Sequence, residues 1–378
     1  MLYDCVPRNT AMKLMNNSDK SQITCGREGR PPSSPGFSAD WRRVVGLALL
    51  VLSAMPSYAG TTVKFSTDLQ QRAAGANSVV TVIVQYQKMP TSTYLKMMQS
   101  AGAKIGRKLP TITAVTMTLP ASMLATLETD TNVVYVTPDR QIRMTSTPVT
   151  EAFATAVEAD VAASQFALDG TGIGVAIIDS GIADHPDLHN STGATRVVYN
   201  QSFVVGDTTT ADAFGHGTHV AGLVAGTGVS SGLPNGYQAI YAGAAPNVNL
   251  VNLRVLDQNG CGTDSQVIAA IQQAIALQSI YNIRVMNMSL GRGVFESYTL
   301  DPVDQAVEAA WKAGIVVVVA AGNNGRYAAT NGYGTIGVPG NDPAVITVGA
   351  TLTLQTATRN DDTIASYSPR GRQRLITL

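Results

Sequence analysis

The chain has 378 residues, 45% of them hydrophobic and only 14% charged, with 35 glycines; this profile excludes a largely disordered chain and fits a well-buried protein with many tight turns. Lys plus Arg and Asp plus Glu each total 26, and a formal charge of zero gives no electrostatic ground for a nucleic-acid partner or an anionic membrane surface. The length exceeds one ordinary domain and predicts two folded units with extras.

Residues 1–40 lack periodicity and contain Pro31-Pro32-Ser33-Ser34-Pro35-Gly36, which reads as a leader and leaves the true start codon open. Arg42-Arg43 then precede the apolar run Val44 to Met55, followed by the small residues of Pro56-Ser57-Tyr58-Ala59-Gly60. About a dozen apolar residues are too few to span a bilayer, so residues 1–59 are expected to be leader plus a secretory signal cleaved near Ala59, with a membrane anchor as the alternative. Export outside the cell or to the periplasm follows, with membrane contact only through the signal. The cysteines are Cys5, Cys25 and Cys261; once the leader is gone Cys261 has no internal disulfide partner, and no CxxC or His/Cys cluster points to zinc.

From Val79 to Arg143 the pattern is an alternating strand (Val79 to Tyr86), a helix (Thr91 to Ala101), strands near Ile105 and over Ala114 to Leu119, a helix (Ala121 to Thr129) and a strand (Val133 to Val136). This β-α-β-β-α-β order predicts a small α+β, ferredoxin-like domain within residues 60–145. No polar constellation inside it points to chemistry.

After the polar stretch Thr145 to Thr150, residues 146–378 change to continuous apolar strands at Gly174 to Ile178, Val248 to Val255, Val285 to Met288, Ile315 to Ala321 and Ala344 to Val348. Helical patterns over Ser265 to Ser279 and Val303 to Ala313 lie between them. Strands buried on both faces with crossover helices predict an open α/β parallel sheet, whose sites gather at the carboxyl ends of its strands.

His216 stands between Gly215 and Gly217, followed by Val220, Ala221, Leu223 and Val224 on an apolar helical face. That places an imidazole, the side chain suited to exchanging protons near neutral pH, at a helix N-terminus, with flanking glycines leaving room for another chain to approach. A hydrogen-bonded core histidine is the bland alternative for His216 and for His219. Asp179 ends the strand Val175-Ala176-Ile177-Ile178 and could orient the imidazole or merely cap a turn. Asn323 ends the strand Ile315 to Ala321 within Gly322-Asn323-Asn324-Gly325, where an amide can donate to a developing oxyanion or simply form a turn. Ser289-Leu290-Gly291 and Gly260-Cys261-Gly262 offer exposed backbone suited to pairing with an extended peptide. Gly170-Thr171-Gly172-Ile173-Gly174 precedes its strand rather than following it, the wrong context for a nucleotide-binding turn.

In order and context, Asp179-Ser180-Gly181, His216-Gly217-Thr218-His219-Val220-Ala221-Gly222, Asn287-Met288-Ser289-Leu290-Gly291 and Ala321-Gly322-Asn323-Asn324-Gly325 closely resemble the subtilisin-like serine proteases, from about Gly170 to Tyr367. The resemblance implies that Asp179 orients the imidazole, His216 is the general base and acid, Asn323 donates to the oxyanion, and His219 is structural. It also implies that Ser289, Leu290, Gly291, Gly260, Cys261 and Gly262 line a cleft for polypeptide substrate, and that the preceding small domain is an inhibitory propeptide cut off near Met144 to Pro148. No cofactor is required by this reading. Asp187 matches a position that often ligates calcium, but the loop Val229 to Tyr241 departs from the family's ion loop, and a solvated turn Asp is the alternative. The family's nucleophile lies in a Gly-Thr-Ser-Met-Ala-type segment absent from these 378 residues, and neither Ser366 nor Ser368 replaces it. The sequence therefore reads as a secreted zymogen chain, incomplete at its carboxyl end and inactive as written, with a non-catalytic peptide-binding pseudoprotease as the alternative.

Overall fold

The structure, a computed structural model, describes residues 64–72, 78–144, 157–237, 239–354, 356 and 359–371, all within one folded unit. The expected leader and signal, and residues 145–148 of the expected cleavage region, lie outside the described residues.

The amino-terminal part runs α1 (Thr67–Arg72), β1 (Val79–Tyr86), α2 (Ser92–Ser100), β2 (Lys104–Leu109), β3 (Ala114–Pro120), α3 (Leu124–Thr129) and β4 (Val133–Pro138). Its sheet has the order β2-β3-β1-β4 with every neighbouring pair antiparallel, the split arrangement that the strand and helix order predicted. Thr91 caps α2 by accepting from Tyr94 N, and Leu95 and Met98 turn inward to join Val82, Val84, Met117, Leu119, Leu127 and Val136 in one core. The predicted helix over Ala121 to Thr129 opens as a 3₁₀ turn at Ala121–Met123 and is α-helical from Leu124, as helix termini often are.

Next come β5 (Gln141–Met144), α4 (Ala159–Phe166), β6 (Gly174–Asp179), β7 (Val197–Ser202), α5 (His216–Ala225), β8 (Asn249–Arg254), β9 (Cys261–Thr263), α6 (Asp264–Leu277), β10 (Ile283–Met288), β11 (Leu290–Gly291), α7 (Pro302–Lys312), β12 (Val316–Ala320) and β13 (Ile346–Val348). The six-stranded sheet has the order β13-β12-β10-β6-β8-β7, and all its pairs are parallel. β6 is buried along its whole length: Ala176 and Ile178 pack in a cluster with Val267, Ile271 and Val307 of α6 and α7, while Val175 and Ile177 pack with Val220 and Ala221 of α5. The chain leaves β6 first toward β7 and β8 and then crosses to β10, so the carboxyl end of β6 lies at the switch point where such sheets place their sites. Among the described residues no helix is long and apolar enough to cross a membrane.

Sequence periodicity did not reveal β5, β7, β9 or β11. β7 is an edge strand whose residues alternate between half-buried and exposed before ending Asn200-Gln201-Ser202, so it carries no apolar run. β9 and β11 are two or three residues long and join one antiparallel sheet through β5, with Ile142 opposite Gly262, Arg143 opposite both Cys261 and Gly291, and Met144 opposite Leu290. Immediately before β5, Arg140 is 2% exposed. Its guanidinium donates twice to Asp68 of α1 (3.0 and 2.8 Å) and twice to Glu296 beyond β11 (2.6 and 2.7 Å).

Candidate active site

Asp179 is the last residue of β6 and fully buried, and His216 is the first residue of α5. His216 Nδ1 lies 2.6 Å from Asp179 Oδ1, which also accepts from Ser180 N at 2.7 Å. Neither Asp179 Oδ2 nor His216 Nε2 has a hydrogen-bond partner among the described residues. With Nδ1–H donating to the carboxylate, the second ring nitrogen is the one left to accept a proton.

The two glycines beside His216 act differently from the shared role expected of them. Gly217 permits a close approach: a Cβ there would stand 2.2 Å from the Gly181 carbonyl and 3.2 Å from Asp179 Cβ, so only Gly lets α5 start against the end of β6. Gly215 instead has φ +94° with open space around it, and its requirement is conformational.

Asp212, which the sequence reading passed over, organises this junction. Its Oδ1 accepts from Ser180 Oγ (2.8 Å), Phe214 N (3.2 Å) and Gly215 N (2.7 Å), and its Oδ2 from Thr218 N and Thr218 Oγ1 (both 2.8 Å). Burial pushes the Asp212 carboxyl up, but these donors outweigh it and hold the group below the usual carboxylate range. The loop before it is pinned from β8: Arg254 Nη1 donates to Asp207 Oδ2 and Thr209 O, and Asn252 Nδ2 to Thr210 O. The available signal was the polarity of Asn252 and Arg254 among the apolar residues Leu250, Val251 and Leu253.

Asn323 follows β12, is half-buried, and lines a cavity of about 230 Å³ with Gly291, Arg292, Ala321, Gly337 and Arg143 of β5. Arg292 there is engaged by Asp264 and Asp301 at 2.7–3.0 Å. Leu290 and Gly291, with Cys261 and Gly262, flank β5 as backbone partners. Gly260 brings β9 beside the histidine loop: at φ +71°, a Cβ there would touch the Phe214 ring at 3.0 Å. Ser289 lines a different, apolar cavity of about 480 Å³, together with Val175, Val285, Val318 and His219. His219 is exposed, not a satisfied core histidine. Cys261 is disulfide-bonded in the 378-residue chain; the expectation of an unpaired Cys261 concerned the chain after removal of its leader.

Ser366 Oγ accepts from Arg326 Nε and Nη2, and Ser368 Oγ accepts from Ala350 N, so both hydroxyls are engaged away from His216. Among the described residues no three His, Cys, Asp or Glu side chains converge as a metal set.

Residues 170–375 match the Subtilase family, Peptidase_S8. The chain is 37% identical over 261 residues to serine protease AprX of Bacillus subtilis (strain 168), covering 67% of this chain and 54% of AprX. It is 32% identical over 295 residues to subtilisin E of the same organism, covering 76% and 70% of the two chains. Among solved structures, fervidolysin from Fervidobacterium pennivorans, described as a keratinolytic enzyme related to subtilisin, superposes with a TM-score of 0.57 at 24% identity, over 79% of this chain and 46% of that one; this likeness concerns the fold. The chain thus spans about half the length of AprX and of the fervidolysin chain.

Proposed function

Because the chain belongs to the subtilase family of peptidases, we propose that it is the zymogen form of a secreted serine endopeptidase in which Asp179 and His216 form the acid–base pair and Asn323 the oxyanion donor. The observation that carries this reading is the 2.6 Å contact of His216 Nδ1 with Asp179 Oδ1, with Nε2 left without a partner among the described residues. Asp179 fixes the tautomer and stabilises the imidazolium; Nε2 takes the proton of an attacking hydroxyl and returns it to the leaving amine. The tetrahedral oxyanion collects at the Asn323 amide, a donor worth about 10²- to 10³-fold in turnover, a figure that belongs to subtilisin itself rather than to this geometry.

Substrate backbone binds as β5 does, paired on one side with Cys261 and Gly262 and on the other with Leu290 and Gly291. Gly291, Ala321 and Gly337 leave the 230 Å³ cavity open for an apolar side chain. Residues 60–145 act as propeptide: β5 continues from their last strand, so the domain holds its own tail in the strand position that substrate needs. Added to a mature subtilisin, this segment should inhibit at micromolar concentration; absence of inhibition would refute its assignment.

The 378 residues contain no Gly-Thr-Ser-Met-Ala-type segment. Loss of the serine of such a triad costs on the order of 10⁶ in turnover, again a value from subtilisin, so a polypeptide of these residues should neither react with diisopropyl fluorophosphate nor cleave casein. Labelling of any serine would overturn the assignment. A peptide-binding pseudoprotease is the second reading, favoured by β5 seated as an extended strand between β9 and β11.

A further inference from the structure

Among the described residues Arg196 is a buried cation with no carboxylate partner. It is 5% exposed, and its guanidinium meets only backbone oxygens of those residues: Nη1 donates to Val248 O at 3.0 Å, Nη2 to Asp187 O at 3.0 Å and to Ala225 O, and Nε to His189 O at 3.4 Å. Burial pushes its pKa down, yet a guanidinium stays charged in a protein. An uncompensated buried ion costs several kcal/mol, so the carbonyl dipoles must supply the compensation. One of them, Ala225 O, belongs to the last residue of α5, the negative end of the helix whose first residue is His216.

Carbonyl oxygens gathered on one positive charge are also how proteins hold hard metal cations. The calcium that the family resemblance raised at Asp187 does not fit these residues. Asp187 Oδ1 accepts from Ser230 N at 2.7 Å, and the Asp187 carbonyl accepts from both Thr227 N and Arg196. Donors therefore occupy two of the three Asp187 oxygens, and the third, Oδ2, lies 3.9 Å from His185 Nδ1 with no set of three His, Cys, Asp or Glu side chains around it among the described residues. We infer that Arg196 is the resident cation of this lobe in place of a metal, clamping the 3₁₀ turn Pro186–Leu188, the end of α5 and the approach to β8 around one guanidinium. The clamp secures the far end of the His216 helix without a divalent ion.

Melting of the 378-residue chain is measured in excess EDTA and in millimolar calcium chloride for the wild type, Asp187→Asn, Arg196→Lys and Arg196→Ala. Any calcium response should be equal in the wild type and Asp187→Asn, while Arg196→Ala melts about 5–15 °C lower and is raised by low, non-denaturing guanidinium that leaves the wild type unchanged. Arg196→Lys, which keeps the charge but not the fork, should fall between them and serves as the readout if Arg196→Ala does not fold. A calcium response lost in Asp187→Asn, or Arg196 variants that melt like the wild type, would overturn the inference.

Discussion

Ser180 Oγ sits between Asp212 and the histidine helix, donating to Asp212 Oδ1 at 2.8 Å while accepting from Gly217 N at 2.9 Å. The end of β6 and the start of α5 are thereby joined by a route independent of the His216–Asp179 contact. Asp212→Ala leaves five donors without their acceptor and should lower the unfolding free energy by about 2–4 kcal/mol in a urea titration, with Asp212→Asn costing less because an amide oxygen still accepts. Equal stability of wild type and alanine variant would remove Asp212 from this role.

Gly215 and Gly217 make a paired test. Gly217→Ala drives a Cβ into the Gly181 carbonyl and should cost about 1–3 kcal/mol while displacing His216 from Asp179. Gly215→Ala pays only for its positive φ, about 1–2 kcal/mol, and should leave the imidazole signal of His216 unchanged. Identical spectra for both variants would contradict the steric account.

The carboxylates around Arg140 and Arg292 set a pH dependence. Glu296 is pushed up to about 7, first by burial and then by Asp301, against the pull of Arg140; Asp264, buried with Asp301 beside it, is raised to about 6 despite Arg292, and burial raises Asp342 to about 6. These folded-state values exceed the unfolded ones, so the native chain binds more protons and stability falls as pH rises from about 4 to about 7. Glu296→Gln should flatten the upper part of that decline, as read from unfolding free energies at successive pH. Stability rising through the same window would contradict the assignment.

Arg140 joins α1 of the amino-terminal part to Glu296 beyond β11. Arg140→Met strands two acidic groups and should cost about 3–5 kcal/mol, and limited proteolysis should then release the segment before β5 sooner than in the wild type.

Much of this architecture was legible in the sequence, because β6 is an apolar run buried along its whole length, β10 and β12 carry buried apolar residues between exposed and half-buried ones, and α6 and α7 carry clear apolar stripes. The Asp179–His216 contact was legible because Asp179 closes a buried strand and His216 opens a helix between two glycines. β5, β9 and β11 were not, since their pairing is tertiary and none is longer than four residues. Arg196 escaped notice because it acts through backbone groups of segments distant in sequence, and Asp212 because its partners Phe214, Gly215, Thr218 and Ser180 follow no helical or strand period. Ser289 facing a cavity separate from that of Gly291 follows only from how β10 ends.

Nitrogen-15 spectra of His216 in the 378-residue chain test the Asp179–His216 pair most directly. The account predicts that the neutral ring carries its proton on Nδ1, with Nε2 showing the shift of an unprotonated nitrogen, and that Asp179→Ala abolishes this preference. A proton on Nε2 in the wild type, or a spectrum that Asp179→Ala leaves unchanged, would contradict it.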